Sequence, residues 1–185
     1  AIGLDGVFAQ QAYYASLGFV LSHRNLRMQG VGRAPAAGSG RHRLVDQAEV
    51  DADALLAFDA AHFGVERPRF LERWSRPDDG LALAALGDDG AIVGTGVVRR
   101  CRTGWKVGPL FAADVDVARS LLDAMSARAE GQPLFLDVPE NNADALALAD
   151  EHGMGEVFGC ARMYLGAPPP TPWQRVFGVT TFELG

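Results

Sequence analysis

The chain has 185 residues, 48% of them hydrophobic and 22% charged, as expected of an ordinary globular domain with a remainder. Its net charge of −6 argues against a nucleic-acid partner or an anionic membrane, both of which require a basic face. Cys101 and Cys160 are too few and too far apart for a zinc site, so no metal is expected, and no apolar run nears the roughly 18 residues that span a bilayer.

The N-terminus has no basic region, no cleavage pattern and no initiating Met, which reads as an incomplete chain without a signal peptide. With two reduced thiols, this points to a cytoplasmic protein. Residues 10–17 predict a short helix, closed by Gly18 as a left-handed cap. Residues 19–28 alternate as a strand, and residues 31–43, rich in Gly, Ala, Pro and Ser, read as a linker. Asp51 caps a predicted helix over 52–63, and Pro68 opens another through Trp74. Strands follow over 81–86 and 92–100, joined by the hairpin signal Gly87-Asp88-Asp89-Gly90. A short strand over 105–107 ends at Gly108-Pro109, and a helix over 114–129 carries Val117, Leu121, Leu122 and Met125 on one stripe. The continuous apolar run 134–138 predicts a central strand. A helix over 141–152 capped by Gly153, a strand over 157–164, a proline-rich spacer over 168–172 and a closing strand over 175–184 complete the order. This is an α+β pattern, a mixed central sheet of about six strands flanked by helices.

Two stretches repeat. Ile2-Gly3-Leu4-Asp5 resembles Leu134-Phe135-Leu136-Asp137, and each precedes a helix ending in Gly, at Gly18 and Gly153. Nine residues beyond each Gly stands Arg-Met, at Arg27-Met28 and Arg162-Met163, the helix being three residues longer in the second copy. If residues 134–166 end one domain, residues 1–30 are expected to be the C-terminal fragment of another. The domain reading is therefore 1–30 as that fragment, 31–43 as linker, 44–167 as a domain and 168–185 as spacer and closing strand.

Taken in order, Tyr14, Gly18-Phe19, Phe63-Gly64, Val107-Gly108-Pro109-Leu110, Leu136-Asp137-Val138-Pro139 with Asn142, and Arg162-Met163-Tyr164 resemble the GNAT superfamily of N-acetyltransferases. More narrowly, the chain resembles the YitH-type family, which carries two such domains in tandem. The resemblance implies acetyl-CoA as co-substrate, held with its pantetheine as an extra strand in a split between two parallel strands and its pyrophosphate on a helix N-terminus. It implies direct attack of an amine on the thioester, with a Tyr as general acid. The acceptor would be a small-molecule or peptide amine, and a homodimer is left open. On this reading Val107, Gly108, Leu110 and Asn142 are the candidate cofactor-binding residues, and Tyr14 and Asp137 the candidate catalytic ones.

The residues leave alternatives beside these roles. Asn142 reads equally as an N-cap, Tyr14 as a packing residue and Asp137 as a loop cap. Asp59 and Arg67 read as a surface or interhelical ion pair, and His62 carries no expected chemistry. The family's phosphate motif, Gln/Arg-x-x-Gly-x-Gly/Ala, falls on residues 113–118, where only Ala118 fits and Asp114 reads as a helix cap. The position of the family's Tyr is Ala149 in the second copy and Tyr14 in the first. A non-catalytic scaffold, or a domain that binds a regulator or partner, is the alternative to an enzyme.

Overall fold

The computed structural model describes residues 1–34 and 42–183. The first piece contains β1 (Ile2–Val7), α1 (Gln11–Ser16) and β2 (Val20–Val31). After it come β3 (Arg43–Asp46), α2 (Ala52–Phe63), α3 (Pro68–Trp74), β4 (Gly80–Leu86), β5 (Ile92–Arg100) and β6 (Trp105–Ala112). Then follow α4 (Val115–Arg128), β7 (Pro133–Pro139), α5 (Ala143–Glu151), β8 (Gly155–Leu165) and β9 (Val176–Gly178). The expected helices form where capping chemistry marks them. Asp51 accepts a hydrogen bond from the Ala54 amide at 2.9 Å, Pro68 enters α3 in its first turn, and Gly64 ends α2 at φ 97°.

All the strands join one mixed, mostly antiparallel sheet in the order β1-β8-β2-β7-β6-β5-β4-β3, with β9 paired to β6. Among the described residues, nine strands replace the expected six or so for two reasons. The strands of the first piece interleave with β7 and β8, and β3 forms at the end of the expected linker. Residues 35–41 of that linker lie outside the described residues. The closing strand is shorter than expected, only Val176–Gly178, because it pairs only where β6 has a free edge.

The repeat acquires a geometric meaning here. β1 pairs with β8 so that Asp5 faces Arg162, and β2 pairs with β7 so that Arg27 faces Asp137. Asn25 and Cys160, equivalent in the repeat, face each other where β2 crosses β8. Arg24 faces Ala161 as Leu26 faces Gly159. The two copies are thus related by a local two-fold through the Asn25–Cys160 pair, and each Arg meets the Asp of the other copy.

Helices α4 and α5 cover one face of the sheet, with Leu121, Leu122, Met125 and Leu148 buried against Trp105, Val107, Leu134 and Leu136. Each such side chain contributes about 1.5–3 kcal/mol by burial. The opposite face carries a smaller cluster, Phe111, Cys160, Val176, Val179 and Phe182, under Phe58, Phe63 and Trp173. Neighbours on β6 divide by the strand's period of two, Leu110 and Ala112 to the first cluster and Phe111 to the second. No helix among the described residues is long and apolar enough to cross a membrane.

The α4 contact depends on Gly94 of β5, where an added Cβ would sit 2.5 Å from Val117 Cγ1 and 3.0 Å from Leu121 Cδ1. Gly94→Val is expected to lower stability by about 1–3 kcal/mol by overpacking, seen as a lower urea midpoint with an unchanged slope.

Candidate active site

β6 and β7 run parallel only over Trp105–Leu134, Lys106–Phe135 and Val107–Leu136. Beyond Val107 the strands part, and the backbone of both faces a split. The chain's own β9 lies in it. Leu110 pairs with Gly178, Phe111 pairs with Val176, and the Val179 amide donates to the Asp137 carbonyl at 2.9 Å. Phe177 is buried between the two strands, on the α4 side.

The expected cofactor-binding residues do converge on this split, but around the chain's own tail. Val107 and Leu110 are fully buried. An added Cβ on Gly108 would lie 2.4 Å from the Thr180 carbonyl oxygen and 2.6 Å from that of Val179, so only glycine allows the tail this close. The Trp74 indole donates to the Gly108 carbonyl at 2.9 Å. Asn142 Oδ1 accepts from the Ala145 amide, while its Nδ2 donates to the carbonyls of Trp173 and Val176 at 3.1 and 3.0 Å. Asn142 therefore caps α5 and also fastens the tail. Asp114 Oδ1 accepts from the amides of Asp116 and Val117, both at 3.0 Å, and takes up amides that a phosphate would need.

Asp137 sits at the bottom of the split with none of its side chain exposed. Arg27 grips it with two hydrogen bonds at 2.7 and 2.9 Å, and Lys106 donates to the same carboxylate. Burial is the largest influence on the Lys106 amine and pushes it below its ordinary range, with Asp137 opposing. Both oxygens of Asp137, a candidate catalytic residue, are bonded to cations, and no part of its side chain is exposed. It ties the first copy to the second. The related pair, Asp5 and Arg162, joins at 2.8 Å, with Asn25 Nδ2 donating to the other Asp5 oxygen at 2.7 Å. Burial raises the Asp5 carboxyl, and Arg162 counters it.

Tyr14 is half-buried on α1, its ring against Gly6 and edge-on to Phe19 at 6.1 Å. Its counterpart Ala149 is fully buried. Asp59 and Arg67 form a two-point ion pair at 2.7 and 2.8 Å, buried and not at the surface. Arg67 Nη1 also donates to Thr180 Oγ1 at 3.1 Å, a second fastening of the tail. No local pattern marks Lys106 and Arg27 as partners of Asp137. The only signals are that Lys106 is the sole lysine and that Arg27 belongs to the repeat.

Comparison with known proteins bears on this geometry. Residues 55–178 match the model of the Acetyltransferase (GNAT) domain family. The chain is 25% identical over 187 aligned positions to the holothin acyltransferase of Pseudoalteromonas sp. (strain SANK 73390), covering 100% of this chain and 62% of that protein. Among solved structures it is similar to a candidate acetyltransferase from Pyrococcus horikoshii, with 26% identity and a TM-score of 0.80 over 98% of this chain and 58% of that one. A GCN5-related N-acetyltransferase from Sphaerobacter thermophilus shares the fold at 14% identity and a TM-score of 0.58, covering 87% and 57% of the two chains. The chain thus spans less than two thirds of the length of these relatives.

Asp137→Asn is expected to cost about 3–5 kcal/mol in urea unfolding, because it strands the buried Lys106 and the half-buried Arg27, and Lys106→Met in that background is expected to restore part of the loss. A second expectation concerns His23, which faces Trp173 at 4.3 Å and whose imidazole is pushed down to about 4, first by burial and then by Arg162. The unfolded chain binds this proton below about pH 6.5 and the folded chain only below about 4, so stability is complete above 6.5 and falls as the pH drops toward 4. Between pH 7.5 and 5.5 His23 is expected to remove about 1 kcal/mol. His62, also pushed down by burial, acts in the same direction. His23→Phe is expected to flatten the slope measured by urea unfolding at the two pH values.

Proposed function

The chain belongs to the GNAT acetyltransferase domain family, and from that premise we propose that it forms part of an acetyl-CoA-dependent N-acyltransferase whose acyl donor binds outside the split between β6 and β7. That split does not fit the co-substrate. β9 fills the place of the extra strand, Asn142 and Gly108 are committed to the tail, and Asp114 occupies helix amides that would meet a pyrophosphate. No step of the reaction is assigned to it. Residues 44–183 act as a scaffold and as a wall for the acceptor.

The local two-fold carries this reading. It puts β1 in one copy where β7 stands in the other. β7 has β6 as a parallel neighbour, whereas the matching edge of β1 has no strand partner among the described residues. Ile2, Val7, Phe8, Tyr13 and Leu17 are exposed around that edge, an apolar surface suited to a further strand and helix of a first domain. A strand parallel to β1 there would create a second split, with Tyr14 on the helix that follows β1. Tyr14 is the general acid of this reading, and an amine is the acceptor. The relative named for holothin supports acyl transfer as the reaction class.

Calorimetric titration of acetyl-CoA into this chain is expected to show no saturable binding. Binding that shifts the backbone amide signals of Gly108 and Val179 would instead place the donor in the split and overturn the proposal. In a longer chain with a complete first domain, Tyr14→Phe is expected to lower kcat by about a hundredfold or more with little change in KM for acetyl-CoA. An unchanged kcat removes Tyr14 from the reaction.

A further inference from the structure

A cavity of about 330 Å³ lies between the end of α2, the tail and the strands β1, β2 and β8. This volume falls at the lower end of the range for small-molecule sites. Both repeat copies and α2 build it, and the tail residues Val176 and Val179 form part of its wall. Phe63, Phe111, Tyr164 and Trp173 give it aromatic sides.

The local two-fold is broken at this cavity. In one ion pair Arg27 gives Nε and Nη2 to the two oxygens of Asp137. In the related pair Arg162 gives only Nη1 to Asp5, at 2.8 Å, and Asn25 holds the second Asp5 oxygen. Arg162 Nε donates instead to the Tyr164 hydroxyl at 3.0 Å. Nη2 is left without a hydrogen-bond partner among the described residues. The Arg162 side chain is 12% exposed, and Nη2 is not one of the unpartnered atoms sealed inside the protein. It stands over Gly3 of β1, where an added Cβ would lie 2.8 Å from it. Gly3 and Arg162 both line the cavity, so the two N–H groups of Nη2 are open to a guest there.

Charge selects the guest. The charged groups on the lining are the Arg162 guanidinium and the amino group of Ala1, both positive. No Asp or Glu lines the cavity among the described residues. His62 on the lining is held neutral at pH 7, since burial pushes its imidazole down, and Arg67 behind it is spent on Asp59. The cavity therefore favours an anion over a cation. A carboxylate can accept from Nη2, and such a charge-assisted hydrogen bond is roughly twice as strong as one to a neutral acceptor. The aromatic sides suit a ring attached to it.

We propose that this cavity binds a small aromatic carboxylate, its carboxylate accepting from Arg162 Nη2 and its ring lying between the aromatic sides. Use of such a molecule as the acyl acceptor, with an amine on the same ring, rests on the acyl-transfer reading; its binding to this chain does not.

The test compares benzoate with benzamide, which has nearly the same shape but no charge, by calorimetry on the 185-residue chain at neutral pH. Benzoate is expected to bind saturably with a Kd of about 1 mM or tighter, and benzamide about tenfold more weakly. Arg162→Lys keeps a cation beside Asp5 but removes Nη2, and is expected to weaken benzoate about tenfold. Val65, exposed at the rim, offers a blocking substitution remote from the core: Val65→Trp is expected to abolish benzoate binding. Acetylating the Ala1 amine is expected to leave the preference for benzoate over benzamide in place. The proposal is overturned if benzoate does not bind saturably, if benzamide binds equally well, if either substitution leaves benzoate binding intact, or if acetylation of Ala1 removes the preference. A chain that binds benzoate in this way while the longer protein transfers no acetyl group would separate the cavity from the acyl-transfer reading. Acetyl transfer by the longer protein without benzoate binding would overturn the cavity proposal alone.

Discussion

Two parallel strands that part after three paired residues leave backbone amides and carbonyls facing one another inside the protein. Buried groups of this kind must find partners. In this chain the partner is internal. β9 closes the ladder of β6, and the Val179 amide reaches β7. Much of the surrounding chemistry serves that insertion. Gly108 leaves room for it, Asn142 and Arg67 hold it by side-chain hydrogen bonds, and Phe177 fills the gap beneath. The split between β6 and β7 is thereby part of the protein's own core.

The ion pairs at the crossing strands bind the two repeat copies. Asp137 takes Arg27 from the other copy and Lys106 from the neighbouring strand, and Asp5 takes Arg162. Removing water from such groups is costly, and only their mutual attraction and hydrogen bonds offset it. These pairs therefore favour one register, since sliding a strand by a single residue would move each Arg to the opposite face. The same arrangement explains why the first thirty residues form part of the sheet and do not hang from it. It also places the cavity at a junction that neither copy forms alone.

Membership of a fold family does not by itself fix what a split in the sheet holds. The matching family model covers the residues that form the split and its tail, yet the polar groups there are spent on holding the structure together. What remains open lies on the other side of the tail and at the edge of β1.

Much of the fold was legible in the chain. The caps at Asp51, Asp114 and Asn142, the Gly87-Asp88-Asp89-Gly90 hairpin and the stripe on α4 act over a few residues, so local chemistry determines them. The repeat was visible as well, since identical spacings can be compared without a structure. What the line of residues could not decide was which Arg meets which Asp, because both copies carry the same pair and the strand exchange is settled only by packing. Nor could it place the tail. Val107, Gly108, Leu110 and Asn142 form a ligand cradle or a seat for β9 according to what lies across from them, and that partner comes from more than thirty residues away. Arg162, one of two like positions in the repeat, meets a cavity only where α2 and the tail close over the strands. Short-range chemistry is written in neighbouring residues, whereas the role of a site depends on long-range contacts that only the folded chain creates.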